Sequence, residues 1–194
     1  DRFNGDYIKG YTLPGFWLQP KLVYYPLKNI KLEGGLHLLR FWGADKFPNY
    51  AYSDIANWKS DNYQYGFHLL PYLRVQAALS KKFTVVLGNI YGGSNHQLIE
   101  PLYNPELNLQ ADPESGLQVL FKSKAFDMDV WMNWESFIFN LDTHQEAFTA
   151  GLSSRIKYNS PASAFHFYSP VQILAQHRGG EIDTIKNNSV QTLM

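Results

Sequence analysis

The chain has 194 residues, a length for one domain, and its 17 Lys+Arg against 17 Asp+Glu leave a formal net charge of +0. That balance offers no basic field for nucleic acid, and the absence of cysteine removes disulfides, thiolate metal sites and thiol nucleophiles together. Charged residues are scarce at 18%, aromatics plentiful at 16%, and the sequence has no apolar run near the ~20 residues of a transmembrane helix.

Period-2 alternation predicts eight strands. The first, 16–26, places Phe16, Leu18, Pro20, Leu22 and Tyr24 on one face, with Lys21 on the other. The second, 30–42, aligns Ile30, Leu32, Gly34, Leu36 and Leu38 against Lys31, Glu33 and His37. A long loop, 43–65, follows. In it Tyr50, Tyr52, Trp58 and Tyr63 interleave with Asp54, Asn57 and Asp61. Aromatic faces beside amides and carboxylates suit stacking on sugar rings, so these four are expected ligand contacts. Packing of the loop against itself is the alternative.

The third strand, 66–79, runs from Phe67 to Leu79 on its apolar face and carries His68, Tyr72, Arg74 and Gln76 on the other. The fourth, 83–91, aligns Phe83, Val85, Leu87, Asn89 and Tyr91. The loop 92–115 after it holds His96, Glu100, Glu106, Asp112 and Glu114. These could ligate Ca²⁺, but the spacing fits no compact calcium loop. A loop folded in across the lumen is the favoured reading, and no metal or other cofactor is expected.

The fifth strand is 116–122. The sixth, 126–137, alternates Phe126, Met128, Val130, Met132 and Trp134 with Asp127, Asp129, Trp131, Asn133 and Glu135. Loop 138–146 leads to the seventh, 147–158, and a turn to the eighth, 164–177. After loop 178–189, Ser189 to Met194 reads as the start of a ninth strand. None of the apolar rows contains a charge.

One apolar and one mixed face fit a soluble β-sandwich or a membrane barrel. Aromatics decide for the barrel, because Phe16 and Tyr24, Phe83 and Tyr91, Phe126 and Trp134, and Phe148 and Tyr158 bracket their rows. At ~3.3 Å per residue the brackets lie roughly 20–25 Å apart along the membrane normal, the height of an apolar band between aromatic girdles. Short turns alternate with long loops, as in outer-membrane barrels, and the strands have the length such barrels need. The expected fold is therefore all-β: an antiparallel up-and-down transmembrane β-barrel with eight strands visible. Residues 1–194 form a single barrel domain. Both ends fall on the long-loop side, so the chain is expected to be a fragment of a larger barrel, with a complete eight-stranded barrel as the alternative.

The strand–turn–strand pattern, the stretch Tyr91-Gly-Gly-Ser-Asn-His-Gln-Leu-Ile-Glu-Pro-Leu-Tyr-Asn-Pro-Glu106 and Trp131-Met-Asn-Trp-Glu-Ser-Phe137 resemble porin-like outer-membrane proteins of the Bacteroidota. The resemblance implies fold and an outer-membrane location, and supplies no catalytic residues.

The function expected on this reading is a pore for small polar solutes, with Lys21, His37, His68, Arg74, Asn133 and Glu135 lining it and the long loops filtering at its mouth. Two alternatives stand beside it: a non-conducting barrel for surface anchoring, adhesion or assembly, and a soluble carbohydrate-binding sandwich. An enzyme is not expected, since no Gly-x-Ser-x-Gly or comparable nucleophile context occurs. Expected partners are outer-membrane lipid and a small solute or saccharide, with no nucleic acid; an oligomer or partner subunits stay open.

Overall fold

The computed structural model describes residues 14–42, 67–93, 95–103, 112–137, 145–179 and 189–193. They form one antiparallel sheet of ten strands. In chain order these are β1 (Gly15–Leu18), β2 (Lys21–Leu27), β3 (Ile30–Phe41), β4 (Phe67–Ala78), β5 (Phe83–Asn89), β6 (Ser115–Lys122), β7 (Phe126–Ser136), β8 (Ala147–Lys157), β9 (Tyr168–Arg178) and β10 (Ser189–Leu193). From β3 onward each strand pairs with the next, and β1 and β2 lie end to end along β3. The only helical element among the described residues is one 3-10 turn, Glu100–Leu102.

The expected strand 16–26 is split because Pro20 has no N–H to give the ladder. Its carbonyl instead accepts the Leu36 N–H at 3.2 Å, and Gly35, opposite Lys21, has no Cβ to obstruct that carbonyl. The last full strand starts at Tyr168 rather than at 164, because Asn159 and Ser163 organise the preceding turn. The Asn159 side chain accepts the Phe167 N–H at 3.1 Å and its amide donates to Ser163. At the other short turns Ser80 accepts the Lys82 and Phe83 N–H groups, and Ser123 accepts that of Phe126.

The sheet is inverted relative to a water-soluble one. Its apolar rows face outward: Leu22 is 84% exposed and Leu73 64%, with Leu36, Leu69, Leu87 and Leu117 also exposed. The opposite face buries Glu33, His37, His68, Gln118 and Arg74, the last only 7% exposed. Among the described residues no second sheet covers the apolar face. Nor does β10 pair with β1 or β2 among them. What is seen is an open sheet, and closure into a barrel is not part of it. On the polar side Ile90, Trp131 and Leu174 form a small apolar cluster with Leu98 against it.

Candidate active site

Antiparallel pairing sets His37 opposite Leu70 and His68 opposite Leu39. Side chains alternate along a strand, so the two histidines share the polar face as diagonal neighbours, roughly 7–8 Å apart backbone to backbone. Both lie near the end of β3 and β4 that leads into segment 43–66. Asp112, from the segment entering β6, brings its Oδ1 to 2.7 Å from Nδ1 of His68. The carboxylate accepts, so the neutral His68 ring carries its proton on Nδ1.

His37 is held in the opposite sense. Its Nδ1 lies 3.2 Å from the Gln19 amide nitrogen, which donates. The His37 proton therefore sits on Nε2, a buried donor with no hydrogen-bond partner among the described residues. Trp17 stacks beside the ring at 6.5 Å between centroids. A buried donor left unpaired costs about 1–3 kcal/mol, so such a group calls for an explanation. A basic imidazole next to an imidazole with an N–H to give is the equipment of acyl-group hydrolysis: one takes a proton from water, the other stabilises an oxyanion.

The wall beside this pair is rigidly packed. The Arg74 guanidinium donates to Glu33 Oε2 at 3.0 Å and to the backbone carbonyls of Asn89 and Ile90, and lies 3.6 Å from the Tyr91 ring centre. Lys31 and Lys21 also pair with Glu33, and the Tyr91 hydroxyl donates to Gln76 at 2.7 Å. Asn89 fits the ladder itself: where β4–β5 pairing stops, its side-chain oxygen accepts the Leu73 N–H.

The described part of loop 92–103 crosses the polar face. The Ile99 N–H donates to Gln172 of β9 at 3.0 Å, and the Gln172 amide donates to the Gln97 carbonyl. His96 anchors this crossing. It is 1% exposed, lies flat on Trp131 at 3.9 Å, and is gripped by Glu114 at 2.5 Å and Asp129 at 2.9 Å. Gly151 makes the room for Trp131, and Gly92 the room for His96. Burial works against charge on the imidazole, but the two carboxylates prevail and hold its pKa up at about 9. A ring kept protonated in this way is a clamp rather than a general base.

All six residues expected to line a channel occur on the polar face. Lys21 sits over the Tyr72 ring at 4.4 Å, and His37, His68 and Arg74 stand as described. Asn133 accepts the Ser115 N–H at 2.8 Å, and Glu135 accepts the Thr149 hydroxyl at 2.5 Å. Tyr50, Tyr52, Trp58 and Tyr63 lie outside the described residues. Alternation places Gln19 on the polar face without giving it a role, and Asp112 stands among possible calcium ligands. No local signal joins Asp112 to a histidine 44 positions earlier; only register and loop course do.

The sequence profile of the family described as Lipid A 3'-O-deacylase-type matches residues 2–194, and the chain belongs to that family. No curated protein and no solved structure matches it. The family membership overturns the resemblance to porin-like proteins, the solute pore with its transport role, and the expectation that the chain is not an enzyme. It also leaves the anchoring or adhesion barrel and the carbohydrate-binding sandwich without support. The physical reason is that alternation, aromatic brackets and loop asymmetry report the solvent around a sheet, not the chemistry on its inner side. A histidine–carboxylate pair assembled from distant segments leaves no Gly-x-Ser-x-Gly in the sequence.

Proposed function

We propose that the chain forms the wall of an outer-membrane β-barrel enzyme that removes an ester-linked acyl chain from lipid A. The observation that carries this reading is the buried His68–Asp112 pair, beside the His37 Nε2–H that has no partner among the described residues, on the polar face of a sheet whose other face is apolar. In this reading the apolar face contacts the hydrocarbon in which the substrate's acyl chains lie. The polar face supplies the groups for hydrolysis, and the solvent-inverted sheet serves both.

The chemistry is water addition to an ester. His68, oriented by Asp112, takes a proton as the water oxygen attacks the carbonyl carbon. His37 donates its Nε2–H to the oxygen that becomes negative. The acyl C–O bond then breaks. The proton passes from His68 to the departing sugar oxygen, leaving a fatty acid and a free hydroxyl.

The test is fatty-acid release from purified lipid A by the detergent-folded full chain, read by mass spectrometry. The wild type is expected to release one ester-linked chain. H68Q is expected to lower the rate by roughly 10²–10⁴, the usual share of a general base, and D112N by less. Release at an undiminished rate by H68Q would remove His68 from the reaction. No release by the folded wild type would overturn the proposed activity.

A further inference from the structure

Among the described residues, the apolar face of the sheet carries one lysine, arginine or carboxylate, Arg40. Alternation along β3 turns His37 and Leu39 to the polar side and Leu36, Leu38 and Arg40 to the apolar side. Arg40 pairs with Phe16 across to β1 and with Phe67 across to β4, and Trp42 follows two positions on. Its guanidinium carbon lies 5.5 Å from the Trp42 ring centre and 5.8 Å from that of Phe67, and Phe16 packs against Trp42 at 5.8 Å. All three rings are about half exposed. Among the described residues Arg40 has no carboxylate partner, in contrast to Arg74 on the other face, which is held by Glu33.

A guanidinium on a surface otherwise built for hydrocarbon is expensive at mid-depth and far less so near the interface. Arg40 stands at the end of β3, among aromatic rings of the kind that settle at headgroup level. Its planar fork matches two oxygens of a phosphate, and the rings hold that fork in one orientation. With no carboxylate partner among the described residues, the Arg40 charge on this apolar face suits an anion that arrives with apolar chains attached.

We propose that Arg40, with Phe16, Trp42 and Phe67, binds the phosphate of a lipid headgroup on the outer side of the wall. This rests on the reading above that the apolar face contacts membrane. The position adds a consequence for the enzyme. Arg40 neighbours Leu39, which is paired with His68, so the two strands carrying the hydrolytic pair inside carry the headgroup site outside. A phosphorylated lipid held there waits against the part of the wall nearest the chemistry, and lipid A is a phosphorylated lipid.

The test equilibrates the full chain in detergent with phosphatidic acid or phosphatidylcholine and weighs the intact complexes by native mass spectrometry. The wild type is expected to retain phosphatidic acid in preference, and R40Q to lose roughly tenfold of that preference, the worth of a charge-assisted hydrogen bond. Excess inorganic phosphate is expected to leave the lipid bound, since it has no chains to lay on the rings. An R40Q protein with the full preference overturns the proposal. So does displacement by inorganic phosphate, which would mark a site for the free anion. If R40Q does not fold, R40K decides: a weakened preference supports recognition by the guanidinium fork, and an undiminished one overturns it. A chain that stays dispersed without detergent would sink this proposal together with the membrane-facing wall. An Arg40-dependent lipid preference without acyl release would leave the headgroup site standing and remove only the enzymatic reading.

Discussion

His96 adopts a left-handed backbone conformation, φ 43°, which a residue with a side chain seldom takes. The conformation persists because two carboxylates and the Trp131 face fix the ring, with Gln118 holding Asp129 from the other side at 2.8 Å. Among the described residues the charged groups facing the ring are Glu114 and Asp129, with Trp131 and Gly92 also against it. The folded pKa of about 9 stands above the ordinary value near 6.5. The clamp's contribution is therefore fully present below pH ~6.5, declines as pH rises, and is lost above about 9. It amounts to about 3 kcal/mol at most, at 1.36 kcal/mol per pKa unit. Thermal unfolding in detergent is expected to show the melting temperature falling between pH 6.5 and 10 in the wild type, with a much flatter profile in H96Q. Parallel profiles would show that His96 is not the titrating group.

At the scale of elements, the sheet is shaped by positions where a side chain is missing or a hydrogen-bond donor is lacking. Gly151 of β8 faces Trp131 of β7 across the ladder, and a Cβ there would fall inside the indole. G151A is expected to destabilise the fold by about 1–3 kcal/mol, the usual cost of overpacking, read as a lower urea midpoint. An unchanged midpoint would mean that the Trp131–His96 stack yields freely. Pro20 divides the first edge strand and leaves Gln19 turned to His37. Alternation alone made 16–26 one continuous strand, because it scores side-chain polarity and does not count hydrogen-bond donors. Strand 164–177 was begun too early for a similar reason: Phe165 and Phe167 continue the apolar row, but Asn159 claims the Phe167 N–H for the turn.

At the scale of the whole molecule the governing feature is the sidedness of the described sheet, one face apolar and exposed and the other charged and buried, which the proposed membrane-facing wall accounts for. Leu73, opposite Gly34 in the middle of β4, tests it. L73R is expected to cost about 2–4 kcal/mol for folding into lipid vesicles, measured by urea titration, because it puts a charge near the bilayer midplane. A change near zero would mean that Leu73 faces water.

The sequence by itself determined the strands and their sidedness, because strand periodicity is local and is written in which neighbours are apolar. Phe126 to Glu135 declares its two faces without any partner strand. The sequence did not determine what the polar face does. His68 meets Asp112, His96 meets Glu114 and Asp129, and Gln19 meets His37 only once register and loop course are set. Those depend on contacts between segments tens of residues apart, which no local pattern encodes. Arg40 illustrates both levels. Its place on the apolar face follows from counting by twos along β3. That it meets aromatic rings and no carboxylate among the described residues, while Arg74 is held by Glu33 and two carbonyls, was decided by the tertiary structure alone, because only the packed neighbours settle which charge finds a partner.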